Sequence, residues 1–425
     1  MFSEKVILQV LAEQKEELRS YRTKRLVTRK EESLFDFEST QAQVVIGVRR
    51  SGKSTLCHKV LLEHAVEYAY VNLDDDRLAN LQTGDLNTVL SCVYQLYGTD
   101  FKYLFLDEIQ DVDGWYLFVN RLLRTDLHVF VTGSNAKLLS GELATHLSGR
   151  YNEIRLFPFS FSEYCCFHNV DTTGITTKAD AQRKRAFYDY INDGGFPEMQ
   201  NLRNKRGYVE SLIDAILTKD IKKRFKIRNV DALKKIAGHL INNSCQEVNY
   251  DNLSELFKMS DKTIQKYVSY LQQAFLIQLL PKHSFKSKER IRGDKSYIVD
   301  SGLQNNRTNS MAAENIGWRL ENVIYIELLR RCASDFLDVY YFKQASTGKE
   351  VDFVICDKNE ALELIQVSYD IDSKKTYERE TSSLVAASGL LKCDNLTLIA
   401  FADTRDVTIN GKTIHIKSAL EWLLA

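Results

Sequence analysis

The stretch QAQVVIGVRRSGKSTLCHKV, residues 41–60, decides how the rest of the chain is read. Val44, Val45 and Ile46 form a β-branched apolar run of strand type. Gly47-Val48-Arg49-Arg50-Ser51-Gly52-Lys53-Ser54-Thr55 follows, and Leu56, Val60 and Leu61 then fall at apolar positions of a helix. The pattern is G-x-x-x-x-G-K-[ST] in a strand–loop–helix setting, which is the setting its chemistry requires. Gly47 and Gly52 let the backbone curl until several N–H groups face one point. The helix starting near Gly52 turns its positive dipole end toward the same point. Lys53 is expected to reach the β- and γ-phosphates of a nucleotide, and the Ser54 hydroxyl to sit on Mg²⁺.

Such a loop implies nucleotide binding, not hydrolysis. Hydrolysis needs an apolar strand that ends in acid, and Tyr103-Leu104-Phe105-Leu106 runs directly into Asp107-Glu108. Asp107 is expected to hold Mg²⁺ through water, and Glu108 to orient or deprotonate the attacking water. A third strand, His128 to Thr132, ends at Gly133-Ser134-Asn135. Ser134 and Asn135 are candidates for sensing the γ-phosphate and placing water, with a plain turn as the competing reading. Leu138 to Ser148 has helical character and ends at Gly149-Arg150. Arg150 reads either as an arginine finger, for a neighbouring subunit's nucleotide or the same site, or as a surface arginine after a helix-capping glycine. Arg49 is a second candidate cation. The strand Tyr68 to Leu73 ends in Asp74-Asp75-Asp76, which reads as a solvated turn or a helix cap, with contact to a metal beside the phosphate site as the rarer alternative.

Composition narrows the class. The chain has 425 residues, enough for two to four domains at ~150 residues each. Lys+Arg and Asp+Glu are equal at 57, so no global charge points to nucleic acid or to a membrane surface. The eight cysteines contain no C-x-x-C pair, which argues against a zinc ribbon or a disulfide framework and for reduced thiols in a cytoplasmic setting. No run approaches the ~20 apolar residues that span a bilayer.

Strands and helices alternate from 41 to 157, implying a mostly parallel sheet with nucleotide at the strand C-terminal ends. Residues 4 to 19 read as a helix packed on that core. Residues 158–229 turn helical, with Gly194-Gly195-Phe196-Pro197-Glu198 as a tight turn and a basic end at Lys219–Arg228. Residues 230–295 look like a winged helix-turn-helix. Leu233, Ile236 and Leu240 mark its first helix, and Leu253 and Leu256 point inward from the second. Ile264, Tyr267, Val268 and Leu271 line the third, and Phe275 to Pro281 makes a wing. A DNA reader would present Lys262, Gln265, Lys266 and Ser269 to the major groove. Lys282, Lys286, Lys288, Arg290, Arg292 and Lys295 make a basic loop, while a protein-contact role is equally open. From 296 to 425 an αβ module is expected, opening with strand Tyr297-Ile298-Val299 and closing with a helix Lys417 to Leu424.

Taken together, Gly47–Thr55, Leu106-Asp107-Glu108-Ile109-Gln110, Thr132-Gly133-Ser134, Leu147-Ser148-Gly149-Arg150, Gly194–Glu198 and Glu350-Val351-Asp352-Phe353 give the chain a family likeness. It resembles prokaryotic AAA-type P-loop ATPases with a C-terminal domain of unknown function built on a restriction-endonuclease-like core. The resemblance implies an ATPase domain at 1–157 with the sensor strand between the two Walker strands. It further implies a helical lid at 158–229, a winged helix at 230–295 and the nuclease-like domain at 296–425. ATP with Mg²⁺ is the implied ligand, and a homo-oligomer, a protein partner or DNA are the implied partners. In active nucleases of that core an Asp and a Glu-x-Lys gather Mg²⁺ and water. Asp352 matches the Asp and Glu321 a helical acid, but Gln366-Val367-Ser368 stands where Glu-x-Lys belongs, which implies a degenerate site.

Overall fold

The computed structural model describes residues 3–134, 147, 149–284, 293–307, 316–401 and 404–425. The chain divides into two compact units, Met1–Leu156 with Gln273–Phe275, and Phe157–Gln272 with Leu276–Ala425.

In the first unit, helix α1 (Glu4–Tyr21) precedes strand β1 (Ala42–Ile46) and helix α2 (Lys53–Glu63). Strand β2 (Tyr68–Asn72), helix α3 (Leu86–Tyr97), β3 (Tyr103–Asp107), helix α4 (Trp115–Leu122), β4 (His128–Gly133) and β5 (Tyr151–Arg155) follow. The five strands lie in the order β2-β3-β4-β1-β5 and every pairing is parallel. β4 therefore separates β1 from β3. All five residues of β1 are buried, as expected for a parallel strand covered on both faces. Val45, Leu56, Val60, Phe105, Phe130 and Ile154 build the core on the α2 side. Ile7, Val10 and Leu11 of α1 are buried as well, and α1 packs on α3 and β2. Gln14, from the same helix, holds both backbone groups of Asn72, its amide donating to the carbonyl and its oxygen accepting the N–H, each at 2.9 Å.

The second unit opens with helices α5 (Phe161–Phe167), α6 (Thr177–Asp193) and α7 (Lys205–Ala215), the last continuing through a π-helical stretch, Ile216–Lys222. Ser160 and Glu163 close a capping box at the start of α5. The Gly194–Glu198 turn is locked by Asp300, whose carboxylate accepts the Gly195 N–H at 2.7 Å and the Gly302 N–H at 2.9 Å. Gly194 sits at φ 73°, and a Cβ there would collide with that carboxylate.

Helices α8 (Val230–Asn242), α9 (Tyr250–Phe257) and α10 (Asp261–Gln273) accompany three short strands, β6 (Gln246–Glu247), β7 (Ile277–Leu280) and β8 (Lys295–Ile298). These strands form an antiparallel sheet in the order β6-β8-β7. The strand expected to open the C-terminal module at Tyr297 instead closes this small sheet, because its register pairs Lys295 with Leu280 and Ile298 with Ile277. Lys295 is thus a buried strand residue rather than a loop cation. Lys286, Lys288, Arg290 and Arg292 lie outside the described residues. Ile264, Tyr267, Val268 and Leu271 are buried on α10 as their spacing predicts. The two-turn helix α9 buries Leu253 but leaves Leu256, in its last turn, open to solvent.

The remainder is a six-stranded mixed sheet flanked by helices α11 (Ile316–Asp335) and α12 (Lys374–Leu391). Its strands are β9 (Asp338–Lys343), β10 (Glu350–Asp357), β11 (Glu360–Ser368), β12 (Leu396–Ala400), β13 (Arg405–Ile409) and β14 (Lys412–Ser418). The pairs β9-β10, β10-β11 and β13-β14 are antiparallel, whereas β11-β12 and β12-β14 are parallel. The expected helix from Lys417 begins only at Ala419, because Lys412–Ser418 is spent on the β13–β14 hairpin. No described helix is long and apolar enough to cross a membrane.

Candidate nucleotide site

The loop from Gly47 to Gly52 leaves β1 at its C-terminal end and enters α2 at Lys53. Gly47 is packed so closely beneath Leu156 that a Cβ would strike its carbonyl, and Gly52 takes φ 99° at the helix N-cap. Both glycines are needed for the shape, the first for close approach and the second for a left-handed backbone. Lys53 is buried, and its ammonium donates to the Gly47 and Val48 carbonyls at 3.2 Å each. It also lies 3.8 Å from Glu108 Oε1. The cation is therefore held in the hollow of the loop before any phosphate arrives. Ser51 is buried, Ser54 and Thr55 are half-buried, and Arg50 is exposed with φ 66°. Arg49 points across the loop mouth to Asp74, Nη1 to Oδ2 at 3.5 Å. Of the Asp74–Asp76 cluster, Asp75 does cap a turn through the Arg77 N–H, whereas Asp74 faces the loop arginine.

Asp107 ends β3 beside the loop. It accepts the Ser54 hydroxyl on Oδ1 at 3.0 Å, the Tyr70 hydroxyl on Oδ2 at 3.1 Å, and the Thr132 hydroxyl in a short bond to Oδ1. Burial first, and then the charge of Glu108, push the Asp107 carboxyl up to about 6, while these three donors oppose the rise. Glu108 holds a left-handed backbone at φ 53°, rare for a side chain of its size, and its N–H donates to Thr132 Oγ1 at 3.1 Å. Its Oε2 accepts the Ser134 hydroxyl at 3.1 Å, the Ser134 N–H at 3.3 Å and the Gln110 amide at 2.5 Å. Burial alone would raise this carboxyl. Lys53, with Gln110, Arg49 and Ser134, outweighs it and keeps Glu108 below the usual range, so it is anionic and able to take a proton.

Lys53, Ser54, Asp107, Glu108 and Ser134 thus converge at the C-terminal ends of β1, β3 and β4, and Asn135 lies outside the described residues. Arg150 is exposed at the opposite end of the sheet, where its carbonyl accepts the Ala42 N–H at the start of β1. Five strand residues, roughly 16 Å, separate that position from the loop, so Arg150 does not serve the site of its own chain. The arginine at the loop end of β5 is Arg155, in register with Ile46 and 3.5 Å from Glu153. Tyr70 and Arg155 carry no motif in the sequence, and Gln110 and Thr132 stand in motifs without any contact to Glu108 or Asp107 being readable from them. Ser54 and Asp107 supply the hard oxygen donors that Mg²⁺ takes together with phosphate oxygens and water, so the donor set fits that ion.

In the second unit Glu321, Asp352 and Gln366 line one cavity of about 540 Å³. Gln366 is tied down at both ends, its oxygen accepting the Asp352 N–H at 3.4 Å and its amide donating to Glu380 at 2.8 Å. Ser368 turns its hydroxyl to the Asp370 carbonyl. Glu363 is engaged elsewhere, with Thr397 at 2.6 Å.

A five-stranded parallel sheet with this loop, this acid pair and this strand order defines an AAA-type P-loop ATPase domain, and an AAA-domain family model matches residues 39–165. Two further models match, a domain of unknown function (DUF8612) over 184–313 and another (DUF4143) over 317–417. The chain belongs to the family of the uncharacterized protein MJ1544 of Methanocaldococcus jannaschii, to which it is 34% identical over 394 residues, covering 89% of this chain and 87% of the relative. An uncharacterized protein of Haemophilus influenzae is 32% identical over 409 residues, 92% of this chain and 97% of that one. Among solved structures, the Walker-type ATPase PABY2304 of Pyrococcus abyssi matches with a TM-score of 0.44 and 13% identity, over 65% of this chain and 95% of that one.

Proposed function

We propose that the protein binds ATP with Mg²⁺ at the Gly47–Thr55 loop and hydrolyses it slowly, using the bound nucleotide to set the arrangement of the second unit. The loop N–H groups and Lys53 grip the β- and γ-phosphates. Ser54 and Asp107 hold Mg²⁺, which when bound neutralises charge on the phosphate oxygens. Glu108 takes the proton of the attacking water, with Ser134 and Gln110 fixing the carboxylate's direction. The observation that carries the reading is Lys53 itself, buried and already placed between the loop carbonyls and Glu108. Glu108→Gln is the test. It should bind ATP as wild type does and release phosphate at least ~10²-fold more slowly. Undiminished phosphate release would remove Glu108 from its role.

A nucleotide-controlled DNA contact is the second reading, and α10 is what favours it. Lys262, Gln265 and Lys266 are exposed on its outer face, opposite the buried stripe, and the small β6-β8-β7 sheet stands where a winged helix carries its wing. Binding of random duplex that weakens steeply with salt, and that Lys262→Glu with Lys266→Glu abolishes, is the expected result. Salt-independent binding, or none, would remove DNA from the reading.

A further inference from the structure

Lys295 is buried on β8, with only 4% of its surface exposed. Its ammonium lies 2.5 Å from Glu350 Oε1, 3.5 Å from Glu321 Oε1 and 3.7 Å from Asp352 Oδ1. The acids come from α11 and β10, so two different elements aim carboxylates at one point. Their oxygens are further engaged. The Tyr297 hydroxyl donates to Glu321 Oε1 at 2.7 Å, the Val367 N–H to Asp352 Oδ2 at 2.9 Å, and Lys343 Nζ stands 3.4 Å from Glu350 Oε2.

A divalent cation needs carboxylates that converge on one point and are free to ligate it. Here that point holds an ammonium. The residues therefore do not fit a divalent ion, and among the described residues no group of three or more His, Cys, Asp or Glu is disposed to hold one. The lysine missing at Ser368 is present after all, but it arrives from β8 and lies within the acid cluster.

We propose that Lys295 is the resident cation of this acid cluster, a fixed ammonium standing behind the cavity that the acids line, where a divalent metal would otherwise be held, so that the cluster is neutralised from within the chain. The electrostatics agree. Burial would lower the lysine, but Glu321, Asp352 and Glu350 outweigh it and hold the charge on Nζ. Removing the lysine's charge should uncover a metal site that the wild-type chain does not have.

The test is Mn²⁺ binding to nucleotide-free protein, followed by calorimetry and by the electron paramagnetic resonance of the ion. Wild type should show no Mn²⁺ uptake that Glu321→Gln removes. Lys295→Met, which keeps the length and loses the charge, should gain one Mn²⁺ per chain, and Lys295→Met with Glu321→Gln should lose it again. Asp107→Asn in every sample separates this cavity from the nucleotide site. If Lys295→Met folds poorly with its acids unpaired, Mn²⁺ should raise its melting temperature while leaving wild type unmoved. Glu321-dependent Mn²⁺ uptake by wild type would overturn the proposal. So would a Lys295→Met chain that Mn²⁺ neither binds nor stabilises.

Discussion

The Tyr70 hydroxyl donates to Asp107 Oδ2 at 3.1 Å in a buried bond between β2 and β3. β2 and β3 pair in parallel with Asn72 beside Asp107, which brings a tyrosine from the outer strand to the acid at the end of β3. The bond favours the ionised form of Asp107, against a burial that favours the protonated one. Asp107 is therefore an acid whose protonation is set by its neighbours.

Tyr70→Phe keeps the ring and removes that donor. A hydrogen bond worth about 1 kcal/mol corresponds to roughly 0.7 of a pKa unit. The acid limb of the kcat/KM profile for ATP hydrolysis should move up by about that amount, with activity at pH 8 close to wild type. A profile that scales down uniformly, with no displacement of the limb, would mean that the hydroxyl only supports packing.

Mg²⁺ must displace a proton from Asp107 once the pH falls below about 6. The apparent Mg²⁺ affinity of the analogue-loaded protein should then drop about tenfold per pH unit between 6 and 4.5. Phosphate itself titrates near pH 6, so Asp107→Asn is the control, and its slope should be shallower. Equal slopes in the two proteins would refute the assignment.

Arg150 stands exposed at the far end of β5 from its own loop, so any catalytic role must be played on another copy. Arg150→Ala should then lower kcat on the order of 10³-fold with ATP affinity intact. Mixing it with Lys53→Ala, which keeps the arginine but lacks a working loop, should restore turnover. No recovery on mixing, over a range of protein concentrations, would leave Arg150 a surface residue.

Asp300 joins the Gly194–Glu198 turn to the Asp300-Ser301-Gly302 turn, and its burial raises the carboxyl to about 6. The folded state binds this proton more tightly than the unfolded chain does. The resulting stability is complete below pH ~4 and is lost as pH climbs through 6, an effect on the order of 3 kcal/mol. Asp300→Asn cannot satisfy both glycine N–H groups and should cost about 1–3 kcal/mol at pH 5. Its melting temperature should also change less than that of wild type between pH 4.5 and 7, measured by thermal denaturation of the full chain.

The phosphate loop was legible because its geometry is local. Two glycines, a lysine and a hydroxyl at fixed spacing need only the adjoining strand and helix. Tyr70 and Thr132 were not legible, since each reaches Asp107 only after β2, β3 and β4 align in register. The readings of Arg150 stayed open for the same reason. Its sequence position says nothing about which end of a strand faces the loop, and the Ala42–Tyr151 pairing settles it. Lys295 was counted with the cations of a basic stretch because only its pairing into the β6-β8-β7 sheet buries it. The β13–β14 hairpin is a different case. Asn410-Gly411, at φ 51° and 75°, is the strongest short hairpin signal a sequence carries, and it stood in plain view between Ile409 and Lys412.

Gln14 occupies both backbone groups of Asn72 on the outermost strand of the first sheet. An uncovered border strand invites pairing with another molecule, and a helix laid across it withdraws that invitation. Trimming the chain before residue 22 would therefore expose a sticky margin more than it would harm the phosphate loop. Such a fragment should self-associate at concentrations where the full chain does not.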